Sequence, residues 1–312
     1  MENKKITFKG IVDIFKSAFQ GFSDNKITKL SGSLAYSVIF SLGPLFIVII
    51  SLCSLFLGRD AIEGKVYSAL AGFIGSDTAA QLQDIIKNAN LSGKSEMAII
   101  VGIISLLIGA TSIFGEIQDS INTIWGVKSK PKRGWVKFLQ NRFLSFSIIV
   151  ALGFLLLVSL GVNSIIDAFS NQLKARFPDI AFIVVYTINV VITFVVTTSI
   201  FAVIFKVLPD AKIRWKDVFA GAIATTLFFM LGKFAISFYI SKSHVGSTYG
   251  AAGSLIVLLL WVYYSSIILY FGAELTKSYA VEYGAAILPN DYAVTTKVIE
   301  IETNNKAINN ER

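Results

Sequence analysis

The chain contains 312 residues, of which 54% are hydrophobic and 15% charged, with a mean hydropathy of +0.67 and a formal net charge of +8. Because soluble domains carry about 25% charged residues, this composition excludes an ordinary soluble protein and indicates a membrane protein. The single cysteine, Cys53, excludes an intramolecular disulfide, and with the single histidine, His244, it excludes a His/Cys metal cluster.

Residues 1–32 precede the first long apolar run, and we expect them to form a cytoplasmic, amphipathic, interfacial segment. Apolar residues recur there every three or four positions, which is the period of one helical face. Two interpretations stay open: a helix packed against its own bundle, or a helix lying in the membrane interface, where a cationic face suits anionic headgroups. The apolar residues are Phe8, Ile11, Val12, Phe15, Ala18, Phe19 and Phe22.

Six apolar stretches are long enough to cross a bilayer, which takes about 20 helical residues. They predict an all-α, polytopic domain over residues 33–284, spanning the cytoplasmic membrane several times. The predicted spans are approximately 33–57, 97–125, 141–166, 180–207, 217–240 and 252–276.

The first span and the loop after it carry two further signals. Pro44 removes a backbone donor within the span and predicts a helix kink. The loop over residues 58–96 is the longest between spans, and Asp77 can cap a helix in it. We therefore expect a helical extracytoplasmic loop between the first two transmembrane helices.

The basic residues define the orientation of the spans. Most of the 28 lysines and arginines fall on one side when successive loops are assigned alternately to two sides. By the positive-inside rule this side is cytoplasmic and holds both termini. The same charges attract the anionic headgroups of membrane lipids, so nucleic acid is not needed to explain them. Residues 285–312 are polar, and we expect a flexible cytoplasmic tail.

Four polar residues lie in the second span, before its basic loop: Glu116, Gln118, Asp119 and Asn122. At 1.5 Å per residue, Glu116 lies about 13 Å inside an interface marked by Trp125. An ionisable group at mid-span costs about 2.5 kcal/mol or more, so it needs a reason to be there. Either these residues form a polar path with ion or proton coupling, or they provide hydrogen bonds between helices, with the basic loop satisfying the carboxylates.

The fifth and sixth spans contain further polar residues. Lys233 lies deep in the fifth span, where it either extends to the outer interface or contacts Asn189 or an anionic headgroup. One stripe of the sixth span is polar and aromatic, and it serves either as an amphiphile path or in hydrogen bonds to neighbouring helices. Its residues are Tyr263, Ser266, Tyr270 and Glu274.

Motifs for nucleotide binding and for a nucleophilic elbow are absent from the sequence, and the cytoplasmic segments are too short for a catalytic domain. We therefore expect neither enzymatic activity, nor a cofactor, nor a metal, nor a nucleotide partner. Glycine- and alanine-rich helix faces allow close helix packing, and a homo-oligomer is one possible use of them.

Four blocks of the chain together resemble the YihY/BrkB family of bacterial inner-membrane proteins. They are SGSLAYSVIFSLGPLFIVIISL, GATSIFGEIQDSINTIWGV, LPDAKIRWKDVFAGA and YGAAGSLIVLLLWVYYSSIILYFGAEL. The resemblance covers roughly residues 10–285 and implies six helices. It also implies the movement of lipids or amphiphiles, since some members are proposed to export lipid A precursors. The older ribonuclease BN label of the family does not suit a chain with one histidine.

These observations lead to one main hypothesis and one alternative. The main hypothesis is a transporter or flippase for a lipid-like or anionic amphiphile, with the polar faces of spans two and six forming its path. The alternative is a non-transporting membrane scaffold or envelope-integrity protein. A membrane ribonuclease is disfavoured, and so is binding of nucleic acid.

Overall fold

The computed structural model describes residues 7–41, 95–130, 178–243 and 253–296, and the structural statements below concern these residues. Six helices and four short strands occupy them. The helices are α1 (Phe8–Asp24), α2 (27–41), α3 (Ser95–Trp125), α4 (Pro178–Val207), α5 (Trp215–Ser243) and α6 (Gly253–Glu282). The strands are β1 (Val127–Ser129), β2 (Ala211–Lys212), β3 (Leu288–Pro289) and β4 (Ala293–Thr295).

Three helices contain segments that are long and apolar enough to cross a membrane: Ile183–Val207, Trp215–Ile236 and Ile256–Glu282. These segments match the fourth, fifth and sixth predicted spans, and α3 coincides with the second. The expectation of a helical membrane protein is therefore confirmed. The third span, the loop before residue 95 and the Pro44 kink lie outside the described residues, so six spans and cytoplasmic termini stay predictions.

Helices α1 and α2 follow one another along α6, with a break at Asn25 and Lys26. Thr7 caps α1, since its hydroxyl accepts a hydrogen bond from Gly10 N at 3.2 Å. At the other end Lys26 has a φ of 51°, in the left-handed region that ends many helices. The chain then continues as α2 at residue 27.

The small-residue face of α1 packs on α6. Gly10, Ile14 and Ala18 are buried there, and a side chain at Gly10 would collide with Tyr283. The neighbouring apolar face of α1, which includes Phe8 and three further residues, is exposed: Phe8, Ile11, Val12 and Phe19. The helix thus packs against its own bundle by one face and leaves a second apolar face free for the predicted membrane interface.

Helices α5 and α6 pack closely through reciprocal glycine and threonine contacts. A side chain at Gly221 would collide with Thr276, and one at Gly272 would collide with Thr225. Both threonines satisfy their own hydroxyls within the helix: Thr225 donates to Gly221 O at 2.7 Å and Thr276 to Gly272 O at 2.8 Å. Small residues that let helix backbones approach are typical of membrane helix interfaces.

The segment after α6 forms strands instead of the flexible tail expected from residue 285. Strand β4 pairs antiparallel with β1, and β3 pairs antiparallel with β2. The chain after α6 therefore covers the turns that follow α3 and α4. We call this the basic end of the bundle, because it carries the basic loops of the sequence. Residues 297–312 lie outside the described part of the chain.

Burial is concentrated near the basic end. On α4, among the side chains that the structure describes, the buried ones begin at Thr198 and continue to the end of the helix. The preceding part of α4 exposes apolar residues such as Tyr186, Val191 and Val195. The same trend holds on α3, where the described side chains before Ile117 are partly buried or exposed. The described helices are therefore packed most tightly where they meet the strands.

We predict that Gly221→Leu destabilises the fold, because the α5–α6 contact leaves no room for a side chain. Overpacking of this kind costs about 1–3 kcal/mol. The unfolding temperature of the purified protein in detergent should fall clearly. Gly115→Leu on α3 is the matched control, since a Cβ there would meet nothing within 4 Å. Equal unfolding temperatures for the two variants would contradict the packing described here.

Candidate functional site

Two of the four polar residues of α3 belong to a buried network centred on Asp210. Gln118 Nε2 donates to Asp210 Oδ1 at 3.1 Å, and Asn122 Nδ2 donates to Asp210 Oδ2 at 3.0 Å. In return, Asp210 N donates to Asn122 Oδ1 at 2.8 Å. All three residues are buried: Gln118 is 4% exposed, Asn122 is 3% exposed and Asp210 is 2% exposed. We refer to them as the Asp210 network.

The strand segment after α6 extends this network. Asn290 N donates to Asp210 O at 2.9 Å, and Lys130 N donates to Tyr292 O at 2.8 Å. Burial and the neighbouring charge of Asp210 raise the pKa of Tyr292. The Asp210 network therefore joins α3, the turn after α4 and the C-terminal strands. Its geometry agrees with hydrogen bonding between helices, one of the two interpretations left open for Gln118 and Asn122.

The other two polar residues of α3 lie elsewhere. Asp119 is exposed, and Glu116 is partly buried. Glu116 and Ser120 lie close enough to the Tyr270 hydroxyl of α6 to interact with it electrostatically. Tyr270 is fully buried, yet its hydroxyl makes no hydrogen bond of normal geometry with any described residue. The polar faces of α3 and α6 thus meet at Ser120 and Tyr270, and Glu116 lies within electrostatic range of the Tyr270 hydroxyl.

Glu274 is the centre of a second buried network at the basic end. Its side chain is 2% exposed and accepts a hydrogen bond from Asn25 Nδ2 at the α1–α2 break. Lys277 Nζ lies 3.6 Å from Glu274 Oε2 and donates to Ile124 O at 2.6 Å. We call Asn25, Glu274 and Lys277 the Glu274 network. It ties the α1–α2 break and the end of α3 to α6.

The remaining stripe residues of α6 have separate environments. Ser266 Oγ donates to Val262 O at 2.7 Å within the helix. Tyr263 lines a groove between α2 and α6, so it is not in contact with the Asp210 network. The groove has a volume of about 450 Å³, and the described residues that line it are Gly32, Ala35, Tyr36, Ile39, Leu259, Leu260 and Tyr263. The four stripe residues of α6 thus have separate environments. Tyr263 lines the groove and Ser266 bonds within its own helix. Tyr270 and Glu274 make the two polar contacts described above.

Lys233 is exposed on α5. Within the described part of the chain, no hydrogen bond or ion pair joins it to Asn189 or to any other residue. The contact of Lys233 with an anionic headgroup therefore stays a prediction.

Charged pairs join neighbouring segments of the chain at the basic end. Arg214 Nε lies 3.1 Å from Asp217 Oδ2, and this hydrogen bond raises the pKa of Arg214. Asp217 Oδ2 also accepts from Ala285 N at 3.3 Å, just after α6. Lys212 Nζ lies 2.6 Å from Asp291 Oδ1 and lowers the pKa of Asp291. Both residues of this last pair are exposed, so we expect it to contribute little to stability.

The structure places no group of three or more His, Cys, Asp or Glu residues at metal-binding distance within the residues it describes. The chemistry available at the basic end is therefore that of carboxylates held by amides and lysines. Such groups can bind or release a proton or a cation, or they can hold helices together.

Sequence reasoning missed three of the residues that build these networks. The sequence predicts only that Asp210 lies with Pro209 in a tight turn between two spans, and no local pattern singles out Asn25 or Lys277. One signal for Asp210 was available, since a carboxylate in a short turn beside a membrane helix needs hydrogen-bond donors. The sequence does not identify the donors, because Gln118 and Asn122 precede it by about ninety residues.

Comparison with known proteins places these observations in a family. The model of the virulence factor BrkB family matches residues 18–292. A UPF0761 membrane protein from Aggregatibacter aphrophilus is 30% identical over 275 residues, which are 86% of this chain and 92% of that protein. A UPF0761 membrane protein from Haemophilus influenzae is 28% identical over 262 residues, which are 82% of this chain and 91% of that protein.

A third relative extends the similarity to another genus. The UPF0761 membrane protein of Pseudoalteromonas atlantica is 28% identical over 260 residues, which are 80% of each chain. No solved structure matches the chain significantly. The family match covers α2 to α6 and both networks, together with the last seven residues of α1. The chain therefore belongs to the virulence factor BrkB family of membrane proteins.

Proposed function

We propose that the protein transports a lipid-like or anionic amphiphile across the membrane, and that the structure corresponds to its form closed at the basic end. The observation that supports this most directly is the buried Tyr270 hydroxyl at membrane depth, which makes no hydrogen bond of normal geometry with a described residue. A buried hydroxyl of this kind, within electrostatic range of a partly buried carboxylate such as Glu116, gives water or a polar group something to bind. Intramembrane acids commonly mark such pathways.

The two buried networks supply the closure. The Asp210 network lies between Glu116 and the strands, since Gln118 and Asn122 follow Glu116 along α3 toward the basic end. The Glu274 network lies one helical turn beyond Tyr270 on α6, on the same side. Any polar path through Glu116 and Tyr270 would therefore be blocked at the basic end and would open only on the other side.

A transporter must also be able to break such a closure. Each network depends on one carboxylate and a few donors, so protonation or a local shift would release several contacts together. Away from the basic end α4 exposes an apolar face, so few contacts with other described residues would have to break there when the helix moves. These features support alternating access about the basic end, with Glu116 as the group that couples to a cation or proton.

A scaffold is the second candidate, and one observation favours it. Gln118, Asn122 and Asp210 satisfy one another within the protein, as polar residues do when they only hold helices together. In a scaffold the region of Glu116 and Tyr270 would be dry and closed on both sides. The accessibility of Glu116 to water therefore separates the two functions.

We predict that Glu116→Gln lowers transport of a fluorescent anionic phospholipid in reconstituted vesicles by roughly tenfold or more. A tenfold change in the transport rate corresponds to about 1.4 kcal/mol. This is less than the free energy of about 2.5 kcal/mol that it costs to place a charge at membrane depth. Asp119→Asn, three residues along the same helix but exposed, is the matched control and should transport normally. Transport by Glu116→Gln at the rate of the unmodified protein would remove this residue from the mechanism.

We also predict one-sided access to the position of Glu116. In a Cys53→Ser background, Glu116→Cys should react with a membrane-impermeant thiol reagent only from the side opposite the basic end. Adding Asp210→Asn replaces an acceptor with an amide that faces two donors, so reaction from the basic end should then appear. The reaction is measured in vesicles into which the protein has been inserted in one orientation or the other. An absence of reaction from either side, with and without Asp210→Asn, would favour the scaffold.

A further inference from the structure

We infer that the groove between α2 and α6, with Lys26 and Lys29 at its basic end, binds one anionic phospholipid from the leaflet on that side. The acyl chain would lie in the groove and the headgroup phosphate would contact the two lysines. This inference goes beyond the proposed transport, because it concerns a resident binding site and holds whether or not lipid is moved.

The groove has the form of an acyl-chain site. Gly32 and Ala35 provide its small residues on α2, while Tyr36 and Tyr263 form parts of its walls. Its volume of about 450 Å³ lies within the range of roughly 300–1,000 Å³ that small-molecule sites occupy. The walls are apolar except for the two tyrosine hydroxyls, and an apolar wall beside a membrane-spanning segment is filled by hydrocarbon.

The direction of the groove matches the direction of a lipid chain. Asn25 contacts Glu274 at the basic end, and α2 runs from there along α6 toward Leu259. The groove residues of α2, from Gly32 to Ile39, cover about 10 Å at 1.5 Å per residue. A lipid with its headgroup at the basic end would extend its acyl chains along this path.

The charges at the mouth of the groove suit an anionic headgroup. Lys29 precedes Gly32 by three residues and Tyr36 by seven, so the three residues lie on one face of α2. Lys29 and Lys26 are both exposed, and neither forms an ion pair with another described residue. Glu274 is already engaged by Asn25 and Lys277.

In the chain segment that leads into the groove, residues 24–32, two exposed lysines and one exposed carboxylate leave a net positive charge. The lysines are Lys26 and Lys29, and the carboxylate is Asp24. Anionic lipid headgroups are attracted to basic residues at the membrane surface, whereas a zwitterionic headgroup gains much less from them. The mouth therefore selects the headgroup, and the groove accepts any acyl chain of suitable length.

The narrow floor of the groove argues for a chain and against a helix as its occupant. A Cβ built on Gly32 would lie 4.0 Å from Tyr263 Cε2, so the Tyr263 ring closes the floor of the groove beside α2. An α-helix with its side chains is about 10–12 Å across and needs a wider trough. A single acyl chain has no such requirement.

Photo-crosslinking of the full-length protein in phosphatidylcholine nanodiscs tests the site. The probes are phosphatidylglycerol and phosphatidylcholine that carry the same diazirine acyl chain, each added in small amount. In the unmodified protein, phosphatidylglycerol should label peptides of α2 and of residues 256–263 several times more strongly than phosphatidylcholine. Removal of both headgroup lysines by Lys26→Gln with Lys29→Gln should abolish this preference, so that the two probes label these peptides equally.

Two further variants separate the chain from the headgroup. Gly32→Phe should fill the groove and reduce labelling by both probes, while Ser33→Phe, on the exposed part of α2 beside it, should not. Lys16→Gln on the polar face of α1 is the control for general surface charge.

Equal labelling by the two probes in the unmodified protein, or a preference that the double lysine variant keeps, would overturn the inference. The lysine variant tests it even if Gly32→Phe fails to fold, and because only binding is measured, the result is separate from the outcome of the transport assays.

Discussion

The structure depends on one constraint: a carboxylate buried at the end of a membrane bundle must find its hydrogen-bond donors within the protein. Asp210 and Glu274 both meet this constraint through amide side chains from distant parts of the chain. Each network therefore holds elements together that share no local sequence. Removal of one partner would leave a buried charge unsatisfied, which is far more costly than removal of a surface ion pair.

Helix α6 is the element against which most of the others are positioned. It contacts α1 through Ile14 and Ala18, α5 through glycine and threonine, and α3 through Trp125, whose Nε1 donates to Ala273 O at 3.0 Å. These contacts are concentrated at the basic end and are close because small residues allow them. Away from this end, α2 and α6 separate enough to leave the apolar groove. The bundle is thus tight and polar at one end and looser and apolar toward the other, which is the asymmetry that both proposals use.

The four polar residues of α3 show what helical periodicity predicts and what it does not. The spacing of Gln118 and Asn122 predicts that both lie on one strip of the helix, and both do contact the same carboxylate. By the same argument Glu116 and Asp119 share one face of the helix, yet Glu116 is partly buried and Asp119 is exposed. Periodicity assigns a residue to a face of its helix. It does not say which neighbour covers that face, since the neighbour comes from a remote part of the chain.

The C-terminal segment gives the complementary case. Its polar composition favoured a flexible tail, whereas residues 288–289 and 293–295 form short strands that pair with the turns after α3 and α4. Short strands of two or three residues leave almost no pattern in a sequence, because their stability comes from the partner strand and not from their own side chains.

The sequence by itself determined the membrane class, the helical spans and the end of the bundle that is basic, because these follow from the cost of placing charge and unpaired backbone in hydrocarbon. Only the tertiary structure decided that Asp210 holds Gln118 and Asn122, that Asn25 reaches Glu274, and that a groove lies beside Lys29. The physical reason is that these contacts join residues up to 249 positions apart, and their geometry exists only after the helices have packed.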